Sequence, residues 1–189
     1  DLVNVRGIDA LAEATREAGV WVVPTETLME NIALPTPVAT LAARPGMGYV
    51  PPETLARWIE TKRGVLENPD YDGDAGERFI ALRKRLIRAL HEAGAGILLG
   101  SDAPQVFNVP GCSIHYELEA MRAAGLSRYE VLRSGTAQPA VFFGAQGRFG
   151  TIAVGREADL ILVDGNPLDA GLRGFDGCLR GHHLHTGSA

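Results

Sequence analysis

Little in this sequence favours a membrane or a nucleic acid. No apolar run approaches the length needed to cross a bilayer. Positive charge is in deficit, with 18 Lys and Arg against 23 Asp and Glu. No basic run with interleaved aromatics offsets that, which excludes the usual nucleic-acid footprint. Aromatics make up only 6% of the chain, and there are two cysteines, Cys112 and Cys178. They lie far apart and outside any paired metal spacing, so they imply no disulfide framework. Two free thiols tilt the compartment toward a reducing, cytoplasmic one. The start, Asp1-Leu2-Val3-Asn4, has no Met, no basic n-region and no signal h-region. That suggests a processed or truncated chain, or one whose N-terminal part lies elsewhere. With 189 residues, 46% apolar content and no low-complexity tract, the chain suffices for a domain with its own core and is not disordered throughout.

What is present centres on Ile97-Leu98-Leu99-Gly100-Ser101-Asp102-Ala103-Pro104. A short apolar run bounded by Gly and Pro reads as a buried strand of a parallel sheet. Asp102 stands just past its carboxyl end, where parallel α/β folds place chemical residues. The alternative is that Asp102 merely caps the next turn. The preceding helix, about 75–93, carries an apolar stripe at Phe79, Leu82, Leu86 and Leu90, and Gly94 and Gly96 close it. An earlier unit repeats the order: a helix over 8–18 with Ile8, Leu11, Ala12 and Thr15 on one face, Gly19, then Val20-Trp21-Val22-Val23. Two helix–strand units in succession argue for parallel strands with right-handed crossovers. Thr25, Glu26 and Thr27 either line a site from the same end or form a solvated loop.

Between the units, residues 26–75 are rich in Pro and Gly and hold a helix over 53–64. This segment is either a cover over the site or a packing surface for a neighbouring subunit. Downstream, Ile114, Leu118 and Met121 give a helix its inward face, Ser127 with Glu130 forms a capping box, and 136–143 is a further short helix. The runs 150–155 and 158–164 read as a hairpin of a small β-rich appendage, and 177–189 as a frayed tail.

These segments occur in a telling order: Gly100-Ser101-Asp102, Gly111-Cys112-Ser113-Ile114-His115-Tyr116-Glu117-Leu118-Glu119-Ala120-Met121, Ala124-Gly125-Leu126-Ser127, Gly135-Thr136-Ala137-Gln138-Pro139-Ala140, Val154-Gly155-Arg156-Glu157-Ala158-Asp159-Leu160-Ile161-Leu162-Val163-Asp164 and Asn166-Pro167-Leu168. Together they resemble the C-terminal third of metal-dependent amidohydrolases, in particular the imidazolonepropionase- and prolidase-like branch. The resemblance spans about 8–169 and is most specific over 100–167.

It implies an α/β fold that is the C-terminal portion of a (β/α)8 TIM barrel: the seventh and eighth βα units and terminal helices over 1–146, part of a small β-sandwich over 147–170, and a tail over 171–189. It implies hydrolysis of an amide or related C–N bond by water activated on one or two divalent ions, commonly zinc. Asp102 takes the place of the eighth-strand Asp, touching metal and moving the proton, and His115 falls on the substrate side of the site. His91, on the preceding helix, reads as a packing residue. The cluster His182, His183 and His185 reads as a flexible run rather than a metal site.

The departures are large. The resembled family also uses a His-x-His pair, a carboxylated Lys and two further His from earlier strands. The only His-x-His here is His183-Leu184-His185, and both lysines, Lys62 and Lys84, lie within predicted helices. Two strands cannot close a barrel, and one carboxylate cannot hold zinc. The implied partner is therefore an N-terminal portion carrying strands one to six, with a small amide or dipeptide as substrate and a homo-oligomer as a further possibility. The chain alone is expected to be inactive. The alternatives are a cyclic amidase or deaminase of the same superfamily, and a non-catalytic binding or assembly protein that keeps the fold.

Overall fold

The computed structural model describes residues 5–162, 165–168 and 182–185. Two helix–strand units lie side by side. Helix α1 (Ile8–Glu17) leads through Gly19, at φ 66°, into strand β1 (Trp21–Val22). Helix α5 (Gly73–Ala93) leads through Gly94, at φ 82°, into strand β2 (Gly96–Ile97). Both glycines occupy the left-handed conformation that ends a helix without a Cβ penalty. Asp72 caps α5 at its start, its side chain accepting from the Ala75 N–H at 3.1 Å.

β1 and β2 pair in parallel, Trp21 opposite Gly96 and Val22 opposite Ile97. The Leu98 N–H continues the ladder to the Val22 carbonyl at 2.9 Å. Strand faces alternate. Val22, Ile97 and Leu99 turn toward the helices and join a core of Ala12, Ile87, Leu90, Leu118, Met121 and Val131. Trp21, Val23 and Leu98 take the other face, where Val23 is 45% exposed. The run 97–99 is therefore less buried than an apolar stretch suggests: Ile97 is buried, whereas Leu98 and Leu99 are half-buried. Among the described residues, each strand of this sheet has a neighbour on one side only.

Several expectations shift. Of the predicted stripe α5 buries Leu90, while Ile80 and Ile87 are buried one residue past Phe79 and Leu86, and Phe79 is 43% exposed. The offset brings Arg83 onto the inner side, where it pairs with Glu26. On α1, Leu11 lies outward and Ile8 and Ala12 inward. Residues 26–75 are mostly helical: α2 (Glu26–Ala33), α3 (Val38–Ala42) and α4 (Pro52–Leu66). They enclose a second core of Leu41, Met47, Trp58, Phe107, Val109 and Cys112. The capping box on Ser127 and Glu130 opens α7 (Arg128–Ser134) as read, after α6 (Ser113–Ala123) and before α8 (Ala137–Phe142).

Among the described residues 150–155 forms no strand, so the expected hairpin with 158–164 is not seen there. Instead β3 (Asp159–Leu162) pairs antiparallel with β4 (His182–His185), a partner no local pattern announces. Residues 163–164, Cys178 and the tail other than 182–185 lie outside the described residues. The reading of two free thiols fails at Cys112, which is disulfide-bonded, so cysteine usage does not favour a reducing compartment. No helix among the described residues is long and apolar enough to cross a membrane.

At Gly96 the packing leaves no room for a side chain. A Cβ there would fall 2.3 Å from the Trp21 ring, which is itself held edge-to-face against Phe142 at 5.5 Å. Gly96→Ala is expected to lower unfolding free energy by about 1–3 kcal/mol through overpacking, outweighing the gain of about 0.5–1 kcal/mol from removing a flexible glycine. Urea unfolding checks this, and an unchanged midpoint would contradict the packing.

Candidate functional site

The carboxyl ends of the two strands face the same loops. Asp102 follows β2 at φ 54°, a left-handed backbone that Asp and Asn tolerate better than most residues. Its side chain is exposed, and its Oδ2 accepts from Gln105 Nε2 at 2.6 Å. Behind it the chain is fixed by buried polar contacts. Ser101 Oγ meets Ser113 Oγ of α6 at 2.8 Å, and Asn108 Nδ2 donates to the Ser101 carbonyl at 2.5 Å. The loop doubles back on itself as Gln105 and Asn108 exchange backbone hydrogen bonds at 2.7 and 3.3 Å.

From the other strand, Asn31 of α2 reaches across. Its Nδ2 donates to the Val106 carbonyl and to Asn108 Oδ1, both at 3.0 Å, while its Oδ1 accepts from Arg44 Nη1 at 2.6 Å. Asn31 and Asn108 are 1% and 0% exposed, so each contact replaces water that has been excluded.

A carboxylate joins the same two elements deeper down. Glu117 of α6 accepts the backbone N–H of Glu26 at 2.9 Å on one oxygen and that of Thr27 at 2.8 Å on the other. These are orphan donors of the first turn of α2. A solvated loop does not describe Glu26 and Thr27, because both are buried. Glu26 Oε2 pairs with Arg83 Nε at 2.8 Å, and Arg83 Nη2 donates to the Pro24 carbonyl at 2.8 Å. Burial pushes the Glu117 carboxyl up to about 7 against the pull of its two backbone donors, with Glu26 and Glu30 adding a further upward push. Glu26 is raised too, chiefly by burial, with Arg83 and Lys84 opposing.

His115 lies two residues beyond Ser113 on α6, half-buried, and burial holds its imidazole below the ordinary range, hence neutral near pH 7. The bonds that hold Asp102 run through Gln105, Ser101 and Asn108 rather than through His115. His91 sits away from the strand ends, bonded to Glu130 at 2.8 Å. Lys62 is 1% exposed and donates to the Ile32 and Leu34 carbonyls at 3.0 and 2.5 Å, closing the C-terminus of α2. Lys84 pairs with Glu30 at 2.7 Å. His182, His183 and His185 lie on β4; their side chains are outside what the structure describes.

Glu117, Asn31, Asn108 and Arg44 escaped the sequence reading. Glu117 alone left a signal, since it shares the apolar stripe of Ile114, Leu118 and Met121 at helical spacing. A cavity of about 300 Å³ opens at the opposite ends of the strands, against Arg16, Trp21, Gly96, Gln138 and Val141, and holds none of these residues.

The amidohydrolase family model matches residues 5–181. The chain belongs to the amidohydrolase family. A crystal structure of a Xaa-Pro dipeptidase with bound methionine in its active site is similar at 21% identity and a TM-score of 0.50. The likeness covers 80% of this chain and 30% of the dipeptidase chain, so the present chain spans under a third of that relative. No curated protein matches. Amidohydrolases hydrolyse C–N bonds and are generally metal-dependent. At this identity the dipeptidase supports the shared fold and nothing about substrate.

The raised Glu117 carboxyl has a stability consequence. A folded-state value near 7 against about 4.3 unfolded means the folded chain holds its proton more tightly. Stability is then greatest below the unfolded value and falls as pH rises toward 7, by at most about 1.4 kcal/mol per pH unit. Unfolding free energies measured from pH 4.5 to 8 are expected to show this decline, and Glu117→Gln to flatten it. An equal slope in both proteins would place the titration elsewhere.

Proposed function

We propose that this chain is the closing part of a (β/α)8 amidohydrolase barrel, its seventh and eighth βα units and terminal helices, which cleaves a C–N bond in a small amide or dipeptide. The observation that carries this reading is Asp102 itself. It is an exposed carboxylate past the end of the second of two parallel strands, on a backbone fixed by buried contacts from its own loop and from helices α2 and α6. Barrel enzymes of this architecture work at that end of the strands.

In this reading Asp102 takes a proton from the attacking water and passes it to the leaving nitrogen. His115, neutral and half-buried, is a hydrogen-bonding partner on the substrate side. One or two divalent ions, zinc by preference, complete the site, with Asp102 as one ligand. Among the described residues no group of three or more His, Cys, Asp or Glu could hold a metal. These residues therefore fit one ligand position and no complete site, and the other ligands belong to the rest of the barrel. The partner is accordingly the N-terminal portion with strands one to six. The outer edges of β1 and β2, unpaired among the described residues, and the exposed Val23 favour such a partner. In this proposal the chain is inactive without it.

Asp102→Asn tests the assignment in the assembled enzyme. Asn tolerates the same left-handed backbone, and its side-chain oxygen still accepts from Gln105, so the unfolding midpoint is expected to move little. Turnover is expected to fall by about 10²–10⁴. Near-full turnover in this variant would remove Asp102 from the mechanism.

A further inference from the structure

The histidines at 182, 183 and 185 stand in a strand, where composition alone suggests a flexible run. β4 pairs antiparallel with β3, Asp159 opposite His185, Leu160 opposite Leu184, Ile161 opposite His183 and Leu162 opposite His182. Directly opposed residues of such a pair share a face, and successive residues alternate between faces. The register therefore sorts the ribbon into two sides. Leu160, Leu162, Leu184 and His182 take one, and Asp159, Ile161, His183 and His185 take the other. Exposure along β3 follows the same alternation. Asp159 is exposed and Ile161 is 72% exposed, with Leu160 half-buried between them. Two histidines and one aspartate thus share the side that β3 leaves to water.

Their spacing suits a metal ion. His183 and His185 are two residues apart on one strand, about 6.7 Å along it. Asp159 is the direct cross-strand neighbour of His185, a position where Cβ atoms are about 5 Å apart, and His183 lies on the diagonal from it at about 7–8 Å. Two imidazoles and one carboxylate are a zinc ligand set that leaves the fourth position to water. Nitrogen donors of this kind favour zinc or a similar borderline ion over magnesium and calcium, which take oxygen ligands. That no group of three ligands stands among the described residues does not bear on this face, because the side chains of β4 lie outside them.

The ribbon also has a use for such an ion. Among the described residues it has two strands only, and an isolated two-stranded ribbon is marginally stable in water. Its strands are joined through residues 163–181, a connection far longer than a hairpin turn, and closing it costs entropy. A metal ion bridging the strands contributes its binding free energy to the pairing.

We propose that Asp159, His183 and His185 form a zinc site that fastens β4 to β3. The role is structural and does not rest on the hydrolase reading. His182, on the face of the leucines, has no part in it. That exclusion separates a built site from a loose run of histidines, in which any of the three would serve.

The test uses the purified protein in its assembled form, stripped with a chelator and re-equilibrated with zinc chloride. The proteins are wild type, His182→Ala, His183→Ala, His185→Ala and Asp159→Asn. Elemental analysis after dialysis is expected to find one more zinc per chain in wild type and His182→Ala than in His183→Ala or His185→Ala. Ions held elsewhere in the protein are common to all and cancel in that difference. Asp159→Asn, which keeps the shape and removes the charge, should bind the same equivalent more weakly, and magnesium chloride should not replace it.

Backbone hydrogen exchange reads the fastening itself. Zinc at a hundred times its Kd is expected to slow exchange at 159–162 by about a hundredfold in wild type and His182→Ala. It should have no such effect in His183→Ala or His185→Ala, and a chelator should return the wild type to its zinc-free rate. Equal zinc in all five proteins, a loss in His182→Ala as large as in its neighbours, or zinc bound without slowing at 159–162 would overturn the proposal.

Discussion

The backbone N–H groups of Glu26 and Thr27 begin a helix and have no partner within it; Glu117, from a helix ninety residues further on, supplies both. This tie sets the spacing of everything above it. It fixes the start of α2 against α6, and therefore Asn31 on the one against Ser113 on the other. Arg83, drawn inward to Glu26 and to the Pro24 carbonyl, adds α5 to the same joint. Three helices and the end of β1 are thus clamped by two carboxylates and a guanidinium in a region closed to water. One partner lost there leaves a buried polar group unsatisfied, which costs more than the contact contributes when intact.

The polar network above the joint has a different character. Asn31, Asn108, Ser101 and Ser113 contribute direction rather than attraction. Each accepts or donates where the next needs it, and the result is an exposed carboxylate at Asp102 whose loop is tied through Asn108 and Asn31 to Arg44. Buried amide networks of this kind are demanding, since every member must be satisfied. Their presence beneath a short loop holds the backbone at Asp102 in place.

Much of the fold could be read from the chain because its signals are local. Glycines at 19 and 94 mark helix ends, the Ser127–Glu130 box marks a helix start, and Gly100-Ser101-Asp102 follows soon after a strand end. What could not be read depends on distant pairing. The partner of 159–162 is 182–185, and nothing in 150–155 declares that it is not. On α5 Leu90 is buried as its spacing suggests, but Ile80 and Ile87 take the inner places read for Phe79 and Leu86, and Arg83 turns in to Glu26, 57 residues away. In the site, Asp102 was visible from its place after an apolar run. Arg44, Asn31 and Asn108 were not, because Asn31 and Asn108 meet across 77 residues and have no motif of their own. Glu117 was the one legible omission, a charged residue on an otherwise apolar stripe.

A native mass spectrum of the purified protein, followed by a denatured one, tests the central claim most directly. The claim predicts that the assembled species carries the remaining strands of the barrel, as further sequence or as a second polypeptide, together with one or two divalent ions that are lost on denaturation. A stable, metal-free species of this chain alone that nonetheless hydrolyses an amide would contradict it.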